Sequence, residues 1–309
     1  MSNVWLHRYS VLLAVCTLFL VVAGGLVTSN EAGLSVPDWP LSYGRIMPEM
    51  VGGVFYEHGH RMVATAIGMM TIGLVIFLHI VEKRRWMKGL GWLALGTVIA
   101  QGVLGGLTVL LMLPKGVSMA HACLAELFFS TTVAVALFTS PAWQKGPDPV
   151  QDGGWPSMRA MAFSAPVLVL IQVALGAGFR HRAIGIFPHL LGAFVIGGAL
   201  VMTAIFALTQ FPNHKALRPA GLALLGITFV QVMLGVAAFM TRLQPADTAN
   251  AKAAMIGFTV AHVATGALTM ASAITLAILV GRNVRPKSAA IEQAQYDSLS
   301  APSSKLATR

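Results

Sequence analysis

Charge is what this sequence has least of. Asp, Glu, Lys and Arg make up only 10% of its 309 residues, where a soluble chain carries roughly a quarter. Hydrophobic residues make up 56%, and mean hydropathy is +0.74. The shortage excludes water as the main solvent and leaves no room for a soluble domain. Acidic residues are scarcer still, 11 against 21 basic ones, which gives a net charge of +10. That excess does not mark a nucleic-acid surface. The basic residues sit in short loops between apolar runs, as the positive-inside rule requires, so membrane lipid is the expected surrounding and nucleic acid is not a partner. Cysteine is nearly absent. Cys16 and Cys123 lie far apart inside apolar runs, which excludes a disulfide framework and a thiolate metal motif. No small-residue cleavage site follows the first apolar run, so it reads as a retained helix rather than a signal peptide.

What the sequence has is length of apolar run. Eight runs lie at approximately 10–29, 59–81, 90–113, 118–140, 160–179, 187–210, 219–240 and 256–281. Each can cross a bilayer, which takes about 20 residues. Backbone polar groups in lipid must bond within their own segment, so the runs are helices. The expected fold is an all-α integral membrane protein with eight transmembrane helices. Lys83, Arg84, Arg85, Lys88, Lys215, Arg218, Arg282, Arg285 and Lys287 fall on one side, which collects 14 of the Lys and Arg residues against 7 opposite. Both termini are therefore expected in the cytoplasm. Residues 283–309 read as a disordered cytoplasmic tail, polar and rich in Ser, Ala and Gln from 288 onward.

A short internal repeat divides the chain. Gln101-Gly-Val-Leu-Gly105 in the third run matches Gln231-Val-Met-Leu-Gly235 in the seventh. Gln172-Val-Ala-Leu-Gly176 in the fifth stands opposite Val21-Val-Ala-Gly-Gly25 in the first. The repeat predicts two tandem four-helix bundles related by a pseudo-twofold axis, over residues 1–145 and 156–282. Small residues at these positions also suit close helix packing.

Nine histidines are present. His7, His79 and His214 fall at or beyond cytoplasmic helix ends and carry no assignment. His58, His60, His121, His181, His189 and His262 lie toward the outer side. Four of these stand near the outer ends of the even-numbered runs: His60, His121, His189 and His262. A rise of about 1.5 Å per residue puts them at roughly one depth. The repeat pairs His60 with His189 and His121 with His262, so each half offers two histidines from two helices. A lone membrane histidine is more often a packing residue than a ligand. Four at matched depth and repeat-related positions reverse that expectation. Two imidazoles facing across a four-helix bundle suit a haem iron. Zinc would want more ligands, with no Cys or second carboxylate close by. Copper would favour Met and Cys clusters, and the 16 methionines are scattered.

The halves differ. Glu57-His58-Gly59-His60-Arg61 opens the second run, with Glu57, His60 and Arg61 on one helical face. The matching Ile186-Phe187-Pro188-His189-Leu190 has neither acid nor arginine. Gly25 to His60 spans 35 residues and Gly176 to His189 spans 13, so the first half carries 22 more, including Asn30-Glu31-Ala32-Gly33-Leu34-Ser35-Val36-Pro37-Asp38-Trp39-Pro40. The reading is a plain bis-histidine site in the second half and chemistry in the first. The alternative for Glu57 is an ion pair with Arg61 at the membrane surface. Arg61, Arg45, Arg180 and Arg182 lie on the outer side and are candidates for pairing with haem propionates, or solvated loop charge.

These residues resemble the haem A synthase family, whose signature in the second helix is Glu, aromatic, any residue, His, Arg. Ala32-Gly33-Leu34-Ser35-Val36-Pro37-Asp38-Trp39-Pro40 resembles the family's first outer loop, and the likeness runs to about residue 282. The resemblance implies a bacterial inner-membrane oxidoreductase that converts the C8 methyl of haem O to a formyl group through the hydroxylated haem I, for cytochrome c oxidase biogenesis. It implies Glu57, His60 and His121 as catalytic residues around the substrate haem O in the first half. It implies His189 and His262 as ligands of a haem b cofactor in the second half. Arg61, as a candidate propionate partner, is assigned to haem binding as well. The implied partners are a haem O synthase and an electron-transfer protein, with self-association left open. Two departures stand out. The loop lacks the cysteine pair of some bacterial members, and His58 takes a position that is usually aromatic. The competing readings are a bis-histidine cytochrome b that only moves electrons, and a haem transporter or chaperone.

Overall fold

The computed structural model describes residues 3–244 and 248–286. Among these, eight helices are long and apolar enough to cross a membrane: α1 (Val4–Ser29), α2 (Gly52–Val81), α3 (Arg85–Leu110), α4 (Lys115–Thr139), α6 (Met158–Arg180), α7 (Phe187–Gln210), α8 (Leu217–Leu243) and α9 (Ala249–Asn283). A single turn, α5 (Pro141–Gln144), and two parallel two-residue strands, β1 (Val150–Gln151) and β2 (Val284–Arg285), complete the elements. The protein is an all-α, multi-pass membrane protein. Most of the expected tail lies outside the described residues.

Helix starts follow local chemistry where a cap is available. Asn3 accepts from Trp5 N–H and Leu6 N–H, both at 3.0 Å, and Thr248 accepts from Ala251 N–H at 3.2 Å. Such caps satisfy donors that the first turn leaves free. The apolar runs set the helix cores but not their starts. The second helix begins at Gly52 rather than near 59, and the eighth at Ala249 rather than near 256. Their first turns are rich in glycine, alanine and scattered polar residues and give only a weak hydropathy signal.

The helices form two rings of four. In the first, α1 packs on α2, α2 on α3, α3 on α4, and α4 closes on α1. In the second, α6, α7, α8 and α9 repeat that order, with α9 closing on α6. Between the rings, α1 meets α9, α4 meets α6, and α4 meets α9. Exchanging α1 with α6 and α4 with α9 maps these contacts onto each other, as a pseudo-twofold axis requires.

The apolar cores occupy mainly the half of each ring near the start of α1, the basal end. Leu13, Leu74, Met87 and Val135 fill the first ring, Met158, Ala204, Leu217 and Leu276 the second. Phe129, Ala267 and Ala271 pack between the rings. The linker after α4 is tied to the end of α9 at the basal side. Asp152 N–H donates to Arg285 O at 3.0 Å, Asp148 N–H to Asn283 Oδ1 at 2.8 Å, and the Arg282 guanidinium stacks on Trp143 at 3.8 Å. The opposite, distal end of each ring carries the histidines.

Candidate functional site

Each distal histidine faces a glycine on the preceding helix. A Cβ on Gly24 would lie 3.2 Å from His60 Cε1, and one on Gly105 would lie 3.3 Å from His121 Cε1. The matching distances are 3.0 Å for Gly176 and His189, and 2.9 Å for Gly235 and His262. The four glycines make room for four imidazoles that would otherwise be pushed aside. In the first helix the repeat points to Gly25, but the residue at the imidazole is Gly24. Gly25 faces the other ring, with Val260 Cγ1 3.6 Å from its Cβ position. Histidine accommodation and close helix packing are therefore both served by the small residues.

The glutamines of the repeat support the histidines, a role that the repeat alone does not reveal. Gln101 Nε2 donates to His121 O at 2.9 Å. Gln172 Nε2 donates to His189 O at 2.9 Å and lies 3.1 Å from His189 Nδ1. His262 Nδ1 lies 3.1 Å from Gln231 O, so an Nδ1–H bonded there leaves Nε2 free to bind a metal. The first helix has Val21 at the corresponding place, and His60 Nδ1 is buried without a partner among the described residues.

His189 and His262 face each other with ring centroids 6.1 Å apart and planes at 85°. A metal–imidazole bond of about 2 Å places two imidazoles on opposite sides of one ion with centroids roughly 6 Å apart. The pair therefore fits a bis-histidine iron. In the first ring His60 and His121 each lie against their glycine in the same way. Among the described residues no three His, Cys, Asp or Glu side chains converge as a metal cluster, so the donor sets are pairs. Pairs suit a metal whose other ligands come from a macrocycle.

The start of α2 grips the 30–51 loop. Glu57 is buried, with 4% of its surface exposed. Its Oε1 pairs with Arg61 Nη2 at 2.6 Å, and its Oε2 accepts from Val36 N–H at 2.8 Å. Arg61 Nη1 donates to Asp38 O at 2.8 Å and Leu41 O at 2.9 Å. His58 Nδ1 lies 2.7 Å from Ser42 Oγ, which also accepts from Arg61 Nη1 at 3.5 Å. Within the loop, Asp38 accepts from Tyr43 N–H at 2.7 Å and Gly44 N–H at 2.8 Å. The Gly44 bond leads in holding the Asp38 carboxyl below its ordinary value. The ion pair expected as the alternative for Glu57 is thus present, but buried rather than at a surface.

Among the other outer arginines, Arg180 has local work. Arg180 Nη2 donates to Gly25 O and Ser29 Oγ, both at 2.8 Å, and so ties the rings together. Beyond α6, burial and then the neighbouring Arg180 hold the His181 imidazole below its ordinary value. One acid escapes a reading built on histidine spacing. Glu126 lies buried in α4, and its Oε2 has no hydrogen-bond partner among the described residues. Its sequence signal is a single carboxylate inside an apolar run.

Two four-helix rings, each with distal histidines seated against glycines, define a polytopic membrane protein with repeat-related histidine sites. The family model for cytochrome oxidase assembly proteins (COX15-CtaA) matches residues 7–186, more than half of the chain. The chain belongs to this family. A relative named "Heme A synthase" from Chelativorans sp. is 26% identical, over 84% of this chain and 91% of its own length. One of the same name from Symbiobacterium thermophilum is 31% identical over 53% of this chain and 55% of its own. Another from Staphylococcus aureus is 23% identical over 73% and 82%.

Proposed function

We propose that this protein is a haem A synthase, a membrane oxidoreductase that converts the C8 methyl of haem O to formyl through a hydroxymethyl stage. The observation that carries the reading is the asymmetry between two otherwise matched rings. Both present a histidine pair against glycine, but only the first adds the buried Glu57 and a loop pinned over that end. A pure electron carrier would account for the second ring and leave Glu57 and the loop without a task.

In this reading His60 and His121 hold haem O in the first half, and His189 and His262 hold haem b in the second. When bound, haem b supplies one-electron redox chemistry between the oxidation site and an electron acceptor. Methyl plus water gives hydroxymethyl, and hydroxymethyl then gives formyl; each stage releases two protons and two electrons, the electrons passing to the acceptor. Positive charge that develops at the reacting carbon is met by the Glu57 carboxylate. Both Glu57 oxygens already accept hydrogen bonds, which favours electrostatic stabilisation over proton abstraction. Both Arg61 terminal nitrogens are committed to Glu57 and the loop, so Arg61 serves the haem by fixing that carboxylate. The positive-inside count puts both termini in the cytoplasm and the haem sites toward the outer face of the bacterial inner membrane. A haem O synthase would supply the substrate.

Histidine dissection tests the assignment. His189→Ala or His262→Ala should remove haem b. His60→Ala or His121→Ala should keep haem b and lose haem O. Loss of haem b from the first-ring variants alone would reverse the assignment.

A further inference from the structure

Two axial histidines fix an iron but not the rotation of its macrocycle about the line joining them. Selective oxidation of one methyl needs a further contact at the ring's edge. The loop supplies a candidate side chain. Trp39 lies against Gly106 of α3, where a Cβ would come within 2.6 Å of its Cδ2 and 2.7 Å of its Cε2. The preceding residue, Gly105, is the glycine that faces His121. Trp39 and His121 therefore meet the same turn of α3 through consecutive glycines. On its other side, the residues flanking Trp39 are held from α2. Arg61, next to His60 in the chain, donates to Asp38 O at 2.8 Å and Leu41 O at 2.9 Å. Trp39 is thus tied to the supports of both first-ring histidines. The Glu57 bond to Val36 N–H at 2.8 Å fixes the same stretch relative to the carboxylate. The second ring has no such loop: 13 residues separate Gly176 from His189.

We propose that Trp39, seated on Gly106, is a positioning residue that sets the rotation of the haem O macrocycle and so presents one methyl toward Glu57. The inference rests on the first ring being the haem O site. An indole is a rigid, flat surface able to pack on a tetrapyrrole edge at small entropic cost. Rotation about the line joining the two histidines exchanges which methyl faces Glu57, although the substituents flanking each methyl differ. Both iron ligands stay in place when the indole is removed, so binding and orientation separate.

The test compares Trp39→Ala, Trp39→Phe, Gly106→Ala and the Gly106→Ala/Trp39→Ala double variant, each made alongside a haem O synthase. Haem b content serves as the folding control. Electron paramagnetic resonance of the ferric low-spin haems reads orientation, and mass spectrometry with chromatography of extracted haems reads which methyl is oxidised. Trp39→Ala should retain haem O and shift the g values of that haem. It should slow formyl formation about 100-fold, the scale of a roughly 1 Å misplacement, or yield other hydroxymethyl isomers. Trp39→Phe should restore much of both. Gly106→Ala should mimic Trp39→Ala and add nothing to it. Unchanged g values and product pattern in Trp39→Ala, with haem O bound in both proteins, would overturn the role of Trp39 alone. Absence of haem O from the unsubstituted protein would remove the first-ring reading and this inference with it.

Discussion

The His262 ring occupies the space where Gly235 would carry a side chain, with only 2.9 Å between His262 Cε1 and that Cβ position. His189 stands to Gly176 in the same way at 3.0 Å. The imidazoles can aim across the ring because the facing helix has no side chain there.

Gly235→Ala or Gly176→Ala should therefore displace a haem b ligand. Disturbance of a metal ligand's support typically costs 10- to 100-fold in affinity, and a loss of about that size is expected. The measurement is haem b per protein after purification. Gly198→Ala, with open space around its Cβ position, should keep full haem b.

Gln172 meets the His189 backbone and ring within 3.1 Å. An amide meets Nδ1 as a donor or, turned over, as an acceptor from Nδ1–H. Gln172→Leu should leave the fold intact, weaken haem b retention by about 10-fold, and shift the midpoint potential of the haem that remains. A redox titration with the same potential for both proteins would show that Gln172 acts only in packing.

Glu57→Gln keeps an oxygen for Val36 N–H and removes the negative charge. It should spare haem loading and reduce haem A formation by at least about 100-fold, the scale for losing a preorganised electrostatic group. Full activity in this variant would remove Glu57 from the chemistry. A loop newly open to protease would assign its effect to the lost Arg61 pair that holds the loop.

Asp152 lies in the linker, outside the spans. Burial alone would raise its carboxyl, but hydrogen bonds from Met158 N–H, the Ser157 hydroxyl, Arg159 N–H and Gly154 N–H outweigh burial and hold it below its ordinary value. A carboxyl lowered by folding contributes stability above its unfolded value of 3.8, and that contribution fades as pH falls through the lower folded value. Asp152→Ala should cost about 1 kcal/mol, as for loss of a helix cap. It should also flatten the acid limb of a thermal-melting series in detergent. An acid limb identical in both proteins would contradict a carboxyl lowered by folding.

Much of this architecture was legible in the sequence, because apolar length and positive-inside charge are the strongest signals a membrane chain carries. The four histidines were legible for a related reason: an ionisable group at that depth stands out against Leu and Ala. What hydropathy hid was polar and local. The start of α2 at Gly52 is invisible because its first turn serves the loop rather than lipid. Gly24 rather than Gly25 faces His60 because a two-glycine step leaves the helical phase open. The Ser42–His58 and Glu57–Val36 contacts join residues 16 and 21 apart, and no periodicity reports a loop folding back onto its own helix. Glu126 was readable as a single acid in an apolar run, but a carboxylate without partners gives no ligand spacing to recognise.

The most direct measurement is the haem inventory of the purified protein, produced alongside a haem O synthase, by solvent extraction and mass spectrometry. A haem A synthase with two histidine-paired sites should yield haem b together with haem O, its hydroxymethyl derivative or haem A. Haem b alone, with haem O abundant in the same membranes, would contradict that function and leave an electron-carrying cytochrome.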